Sequence, residues 1–341
     1  MKKKILFYYK LFFAGGTEHS ILKLIKKLHG KFDIIVAYDE EESTDDVLKE
    51  IVKYAEVVNL NKVDYVTADK CIICSHPRQE PFSKFSKKVK ATHYYYWGHI
   101  LIFEAYPDLE FHEDIMENVE KFICVSESVK NDIIKKYPKL EEKCEIIDNY
   151  WDVNEILEKS KKPMQFKLDK QKLNLVTVAR IAKDKGFGRM KWLCEAFDKN
   201  NILYDWYVLG TAFKKETLEE IQGWFCENKN VHFLGYKDNV YPYIKDMDYL
   251  VLLTDRESWG LVITEALILD VPCIVSNFFG VEKQIQDKIN GIILDMDNID
   301  GSYEKRVKDI ISLKQLLKEN VRQKDYNRER IIEHWNKLLE E

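Results

Sequence analysis

Uninterrupted apolar runs alternate with polar segments along the first half of the chain. These runs predict strands at KILFYY, FDIIVAY, CIICS, ATHYYYW, FICVS and CEIID. Strands that are apolar throughout, rather than at every second position, are typical of parallel sheets that helices cover on both faces. The first half is therefore predicted to form an α/β unit around a parallel sheet.

The segments between these runs have the spacing of amphipathic helices. In TEHSILKLIKKLHG, apolar residues recur at helical intervals from Ile21 to Leu28, and Thr17 precedes them as the predicted N-cap. DDVLKEIVKY predicts the helix that follows the second strand. Alternating strands and helices are the pattern of βαβ units, which build parallel sheets.

The alternation lapses at residues 154–172 and then restarts. This stretch is polar, rich in lysine and contains a proline, so it predicts a linker. A second series of apolar runs then predicts strands at LNLVTVAR, WYVLG, VHFLG, YLVLLT, PCIVS and GIILD. The chain is thus expected to hold two α/β units of similar size.

This pattern favours two doubly wound, Rossmann-like domains that face each other across a cleft. A length of 341 residues supports two domains, because one ordinary core seldom extends so far. The predicted first domain spans residues 1–160 and the second spans 161–322. The last helix, residues 323–341, is expected to pack back on the first domain.

Composition and charge narrow the class of protein. The chain has 53 Lys and Arg against 58 Asp and Glu, a net charge of -5, which argues against a dedicated nucleic-acid-binding protein. The chain contains no run of about 18 or more apolar residues, so no transmembrane helix is predicted. The N-terminus begins like a signal peptide, but Lys10 interrupts its apolar part, and a first buried strand is the preferred interpretation.

Seven cysteines are scattered through the chain, several of them inside apolar runs. Dispersed cysteines in odd number predict reduced, buried thiols in a cytoplasmic protein. Cys71 and Cys74 have the spacing of a redox or zinc site, yet no second pair follows at a zinc-finger distance. A buried strand is therefore the preferred interpretation of this pair.

Two of the loops that follow predicted strands carry residues suited to a phosphorylated ligand. Open parallel sheets bind ligands beyond the carboxyl ends of their strands, where helix N-termini present partial positive charge. After the first strand, Gly15 and Gly16 permit close approach of the backbone to a ligand. Arg180 ends the LNLVTVAR run, and Lys185 follows in the next loop. Together they provide two cations for a diphosphate. A tight turn and a solvated turn are the respective alternatives.

A third loop, after YLVLLT, carries two carboxylates that are separated by seven residues. Gly260 begins a predicted helix, whose first backbone amides are placed to donate to phosphate oxygens. Glu257 precedes this helix and suits hydroxyl groups, while Glu265 lies in an apolar stretch of it. A carboxylate there needs a partner, which a ribose diol would provide. The alternatives are a surface charge for Glu257 and a core arginine partner for Glu265.

Together these loops resemble those of retaining glycosyltransferases of family four, which have the GT-B fold. Glu257 and Glu265 match the E-x7-E motif of that family, and ESWGLVITEALILDVPCIVSNFFGVEKQI resembles its donor-site segment. GGTEHSILKL resembles the family's GG-x-E loop, and ARIAKDKG has its spaced arginine and lysine. The resemblance covers nearly the whole chain in the right order.

The resemblance implies roles for the matching residues. Arg180 and Lys185 would hold the nucleotide diphosphate and stabilise the leaving group. Glu257 would contact hydroxyls of the transferred sugar, and Glu265 would contact the ribose. A histidine at a strand end in the first domain would complete the catalytic set.

The remaining implied contacts come from backbone. The amides of Leu261 and Val262, after Gly260, would bind the distal phosphate. Gly15 and Gly16 would approach donor and acceptor from the first domain.

Two parts of the resemblance stay open. Gly235 matches the position whose backbone contacts the base, but GTAFKKE replaces the family's G-x-G-P run, which leaves the base contacts undetermined. The family's histidine matches His99 better than His93, and a packed structural histidine is the alternative for either.

The resemblance also implies an activity. The expected enzyme is a retaining hexosyltransferase that moves a hexose or N-acetylhexosamine from a nucleotide-sugar, UDP-sugars being favoured, to a glycan or lipid-linked acceptor. Bacterial surface polysaccharide synthesis is the implied setting. No cofactor is expected beyond this co-substrate. No metal is expected either, because the DMD runs at 246–248 and 295–297 resemble the polar residues that begin or end ordinary strands.

Location and rival functions complete the expectations. SILKLIKKLHGK and FSKKVK are basic and amphipathic, which favours peripheral contact of a cytoplasmic protein with the inner face of the membrane, unless both are solvated surfaces. The rival functions are a non-catalytic GT-B partner subunit and a sugar-nucleotide epimerase or hydrolase. The presence of both cations and both glutamates favours catalysis.

Overall fold

The computed structural model describes residues 2–10, 15–39, 46–74, 81–295, 302–321 and 329–341. Its strands are β1 Lys4–Tyr8, β2 Asp33–Tyr38, β3 Glu56–Asn59, β4 Val66–Ile73, β5 Val89–Gly98, β6 Lys121–Cys124, β7 Cys144–Ile146, β8 Leu173–Val178, β9 Tyr204–Leu209, β10 Val231–Gly235, β11 Tyr249–Leu252, β12 Cys273–Ser276 and β13 Gly291–Leu294. Its α-helices are α1 Gly16–Leu28, α2 Asp46–Ile51, α3 Phe82–Lys88, α4 Ile102–Ala105, α5 Glu113–Asn118, α6 Glu127–Lys136, α7 Val153–Ser160, α8 Phe187–Lys199, α9 Lys215–Gly223, α10 Tyr241–Lys245, α11 Leu261–Ile268, α12 Ser302–Ser312, α13 Lys314–Val321 and α14 Glu329–Glu340. Short 3-10 turns lie at Pro138–Lys143, Lys183–Lys185 and Val281–Lys283.

The chain divides into two compact units. The first comprises Met1–Trp151 with Asn327–Glu341, and the second comprises Asp152–Tyr326. Every predicted strand run forms a strand, and each unit holds one parallel sheet with helices, so the predicted α/β class is confirmed. In the described part of the chain, no helix combines the length and apolar character that crossing a bilayer requires.

The first unit has the strand order β3-β2-β1-β4-β5-β6-β7. Successive strands run outward from β1 in one direction and from β4 in the other, so the order reverses between these two neighbours. Helix α1 begins at Gly16 after the extended residue Gly15, which corrects the prediction that Thr17 is the N-cap. Thr17 lies inside the first turn because Gly15 already occupies the cap position.

Helix α14 packs in the core of the first unit. Trp335 is fully buried, and its ring lies 4.8 Å from that of Trp97 in an edge-to-face arrangement. The buried ammonium of Lys70 donates to the Leu338 carbonyl at 2.6 Å, and burial lowers the pKa of this lysine. A lysine that caps the last turn of a helix satisfies one of its unpaired carbonyl groups.

The second unit has the strand order β10-β9-β8-β11-β12-β13. Helix α7 packs against α10 and α11, so the boundary between the units lies before this helix, at Trp151, and not after residue 160. The predicted linker of residues 154–172 therefore begins as a helix. Asp152 caps this helix by accepting from the Glu155 amide at 2.9 Å, and Ile156 lies on the buried side of the helix.

Candidate functional site

The loops after β8 and β11 meet beyond the carboxyl ends of these two central strands of the second sheet. These strands are parallel neighbours, and the strand order reverses between them. Ligands of doubly wound sheets bind at such a reversal, beyond the carboxyl ends of the strands. The amide of Asp255 donates to the Asp184 carbonyl at 2.8 Å, and the hydroxyl of Thr254 lies 3.0 Å from the same oxygen. The two loops are thus tied into one structure.

Gly186 allows this close approach. Its φ is +76°, and a Cβ added there would lie 1.7 Å from the carbonyl oxygen of Leu253. No other residue type fits, because the left-handed backbone disfavours a side chain and the space is filled by backbone. Because Gly186 packs this closely, Lys185, the residue before it, lies at the end of β11.

Lys185 and Glu257 form an ion pair as a result. The lysine Nζ lies 2.5 Å from Oε1 of the glutamate, and the two side chains are 17% and 19% exposed. Glu257 is therefore a partly buried partner of the lysine and not a free surface charge. The lysine ammonium can bind an anion, and the adjacent carboxylate can accept a hydrogen bond from a hydroxyl group.

Arg180 lies in the same loop as Lys185 and is more exposed. Its Nη2 atom lies 3.7 Å from Asp184, and its Cζ lies 4.9 Å from the centre of the Phe213 ring. The side chain is 42% exposed, so solvent reaches the guanidinium. Its contact with Asp184 is weak at this distance and exposure.

Helix α11 presents its N-terminus beside this pair. Gly260 has φ +73° and serves as the N-cap without a side-chain hydrogen bond, and the first turn contains no acidic residue. The amides of Leu261 and Val262 lie in the turn whose donors have no acceptor within the helix. Trp259 fixes the approach to the helix, because its indole nitrogen lies 3.0 Å from the hydroxyl oxygen of Thr264. This end of the helix can bind an anion.

Glu265 lies farther along α11 and is buried. The hydroxyl of Tyr241, at the start of α10, donates to its Oε1 atom at 3.4 Å. Burial and the nearby carboxylates of Glu265 and Glu155 raise the pKa of Tyr241, which keeps its hydroxyl protonated as a donor. The sequence did not reveal this tyrosine, since α10 is short and shares no local motif with α11.

Gly235 ends β10 at the same edge of the second sheet. It is exposed and has φ +70°, and a Cβ there would meet no atom within 4 Å. Its carbonyl accepts from the Gly210 amide at 2.9 Å, which joins the loops after β9 and β10.

The predicted glycines of the first unit lie beyond the carboxyl end of β1, where the strand order of that sheet reverses. Gly15 and Gly16 form the N-terminus of α1, which follows β1. A Cβ on Gly15 would lie 2.7 Å from the carboxylate of Glu18, which is buried. Desolvation, and then the charge of Glu18, raise the pKa of Tyr9. These observations explain the compact turn, while contact with a ligand remains a prediction.

The two candidate histidines occupy different environments, one within β5 and one just after it. His93 lies within the strand, is partly exposed, and its Nδ1 lies 2.9 Å from Glu120. His99 follows the carboxyl end of the strand, is 8% exposed, and its ring lies 4.2 Å from that of Trp97. The buried Nε2 of His99 has no hydrogen-bond partner among the described residues. His99 thus has the position at the strand end that the resemblance implies.

Burial lowers the pKa of His99 to about 3, below the value of about 6.5 in an unfolded chain. Between these values the unfolded state binds more protons, so the free energy of unfolding falls as the pH is lowered. We expect the wild type to lose up to about 1.4 kcal/mol per pH unit relative to His99→Gln below about pH 6. Urea unfolding of both proteins from pH 7 to pH 4 measures this, and parallel curves would contradict it.

The other motifs with metal spacing have structural environments. No group of three or more His, Cys, Asp or Glu side chains in the described ranges is arranged to hold a metal ion. Cys71 and Cys74 are buried at the end of β4, and desolvation raises the pKa of both thiols. Asp248 accepts from the Asn174 amide at 2.9 Å, and in the second DMD run residues 296–297 lie outside the described residues.

Comparisons with known proteins agree with this architecture. The family model of glycosyl transferases group 1 matches residues 158–330, slightly more than half of the chain. An uncharacterized 41.2 kDa protein in the cps region of Klebsiella pneumoniae is 28% identical over 45% of this chain and 41% of its own length. The capsular polysaccharide biosynthesis glycosyltransferase CapM of Staphylococcus aureus is 27% identical over 56% of this chain and 53% of its own length.

The chain thus spans about half the length of these two relatives. Among solved structures, Anabaena HepE in complex with UDP and glucose is 14% identical, covers 99% of both chains and has a TM-score of 0.77. This likeness confirms the GT-B fold. On the family match, the chain belongs to the group 1 glycosyl transferases.

Proposed function

We propose that the protein is a retaining glycosyltransferase that uses a UDP-sugar and acts in the synthesis of a bacterial surface polysaccharide. The observation that carries the proposal is the convergence of Lys185, Glu257 and the N-terminus of α11 at the strand-order reversal of the second unit. UDP is favoured because HepE binds UDP and UDP-glucose and S. aureus TarM binds UDP. The polysaccharide setting is favoured by CapM.

The proposed chemistry relies on electrostatics. The bond between the anomeric carbon and the phosphate oxygen breaks, and its electron pair leaves with the nucleoside diphosphate. Arg180, Lys185 and the amides of α11 stabilise the developing charge, which is the largest contribution such groups make. Glu257 binds hydroxyls of the sugar, and the acceptor hydroxyl attacks the same face while its proton moves to a phosphate oxygen. Neither a metal ion nor a cofactor is part of this proposal.

The acceptor is proposed to be a glycan or a lipid-linked glycan. The CapM relative supports a polysaccharide product, and poly(ribitol-phosphate) alpha-N-acetylglucosaminyltransferase of S. aureus, 21% identical over 83% of this chain, supports transfer of an N-acetylhexosamine. Action in the cytoplasm at the inner face of the membrane is proposed on the basic residues of α1, whose last turn contains Lys26 and Lys27.

Nucleotide binding tests the proposal. UDP at about a hundred times its dissociation constant should stabilise the fold by about 2.7 kcal/mol, seen as a rise in melting temperature, and Arg180→Ala should abolish most of that rise. Lys229→Ala is the matched control, because this exposed lysine precedes β10 at the opposite edge of the same sheet. If no nucleotide raises the melting temperature of the wild type, the donor assignment is wrong.

The stereochemistry and fate of the donor test the reaction class. With a competent acceptor, NMR of the product should give the same anomeric configuration as the donor sugar. If free UDP and free sugar accumulate without acceptor as fast as UDP does with it, the protein is a hydrolase. An isomerised donor would favour an epimerase.

A further inference from the structure

Phe213 is a large aromatic residue that remains exposed. It lies in the loop after β9 and is 67% exposed, like Phe279 at 62%, whereas Trp206 and Tyr249 of this unit are fully buried. The loop belongs to GTAFKKE, the run that departs from the pattern of the family. A single exposed phenylalanine is ordinary on a protein surface, but the ring of Phe213 contacts Arg180, a residue of the candidate site.

The loops after β8 and β9 are held together by backbone. The amide of Ile181 donates to the Thr211 carbonyl at 2.8 Å, beyond the last paired residues of the two strands. Gly210 has φ +141°, and a Cβ there would lie 1.9 Å from the carbonyl oxygen of Ala179. The glycine therefore permits an approach that fixes the loop of Phe213 against the loop of Arg180.

The Phe213 ring contacts the guanidinium of Arg180. The distance from Cζ to the ring centre is 4.9 Å, within the range of a cation–π contact. Stacking occupies one face of the guanidinium and leaves its in-plane N–H donors available for oxygen ligands. A contact of this kind holds a long side chain that is otherwise 42% exposed and only weakly paired with Asp184.

We propose that Phe213 is a positioning residue that orients the Arg180 guanidinium for the diphosphate of the donor. The proposal rests on the proposed function, because it takes the diphosphate as the ligand of Arg180. Phe213 acts through Arg180, and so its contribution disappears when the arginine is absent. An arginine that is already oriented loses less conformational entropy on binding.

A double-mutant cycle tests the proposal. Dissociation constants for UDP and for inorganic pyrophosphate are measured by calorimetry for the wild type, Phe213→Leu, Arg180→Ala and the double variant. Phe213→Leu should weaken both ligands by about two- to fivefold, the range of an exposed cation–π contact. On the Arg180→Ala background the same substitution should have no effect, and Phe213→Trp should restore wild-type affinity.

The readouts separate this proposal from its rivals. A loss that persists without Arg180, or that affects UDP but not pyrophosphate, would mean that the ring contacts the base directly and would overturn the proposal. Equal affinity of the wild type and Phe213→Leu would also overturn it. If the wild type binds neither ligand, the proposed function fails, and the orienting contact is tested separately by the NMR relaxation of Arg180 Nε. That signal should become more mobile in Phe213→Leu, and unchanged mobility would contradict the contact.

Discussion

Lys185→Ala is expected to lower the turnover number of sugar transfer by about 10²- to 10³-fold, the loss typical of removing one group that stabilises developing charge. The geometry makes this residue central, because Gly186 brings it to the end of β11, where its Nζ lies 2.5 Å from Glu257. Removal takes away a proposed phosphate ligand and leaves Glu257, the proposed sugar-binding carboxylate, without its cation. The measurement is the steady-state rate with saturating UDP-sugar and acceptor.

Lys183→Ala is the matched control for this substitution. Lys183 lies in the same short turn, but its side chain is 66% exposed and pairs with Glu220. Its removal deletes the same charge from the loop and should leave turnover within about twofold, since exposed ion pairs contribute little. Equal losses in both variants would mean that net charge, and not the placement of Lys185, governs the rate.

The fold was predictable from the sequence because its strands are apolar throughout. β11 and β12 illustrate this, since each is buried along its whole length and is recognisable without knowledge of its neighbours. The missed strand, β3, lies at the edge of the first sheet and is only half-buried, so its short apolar core carries no such signal. Helix α7 was taken for part of a linker because lysines dominate the composition of residues 154–172, most of them after the helix, although Ile156 and Ser160 form its buried side.

The candidate site was predictable only where its residues share a motif. Arg180, Lys185, Glu257 and Glu265 follow two strands at fixed spacing, and the structure places both loops at one sheet edge. The contacts of Phe213 and Tyr241 depend instead on loops that meet in space. Gly210 allows the first contact, and the packing of α10 against α11 produces the second, so no local pattern indicates either residue.

Trp335→Ala is expected to destabilise the first unit by about 3–5 kcal/mol, as large-to-small substitutions of fully buried aromatic residues do. The indole is fully buried in α14 and packs edge-to-face on Trp97 with 4.8 Å between ring centres. The loss combines the buried apolar area with a cavity that the strands of the sheet cannot close. Urea unfolding measures the loss of stability, and native-state hydrogen exchange of the β5 amides assigns that loss to the first unit.

Glu333→Ala provides the comparison on the same helix. Glu333 is exposed, so its removal should change the free energy of unfolding by no more than about 0.5 kcal/mol. The Trp97 ring that contacts Trp335 also lies 4.2 Å from His99, and so loosening α14 should increase exchange at the carboxyl end of β5. A Trp335→Ala variant as stable as Glu333→Ala would show that α14 is dispensable to the first unit, and its packing would then have no part in holding His99 in place.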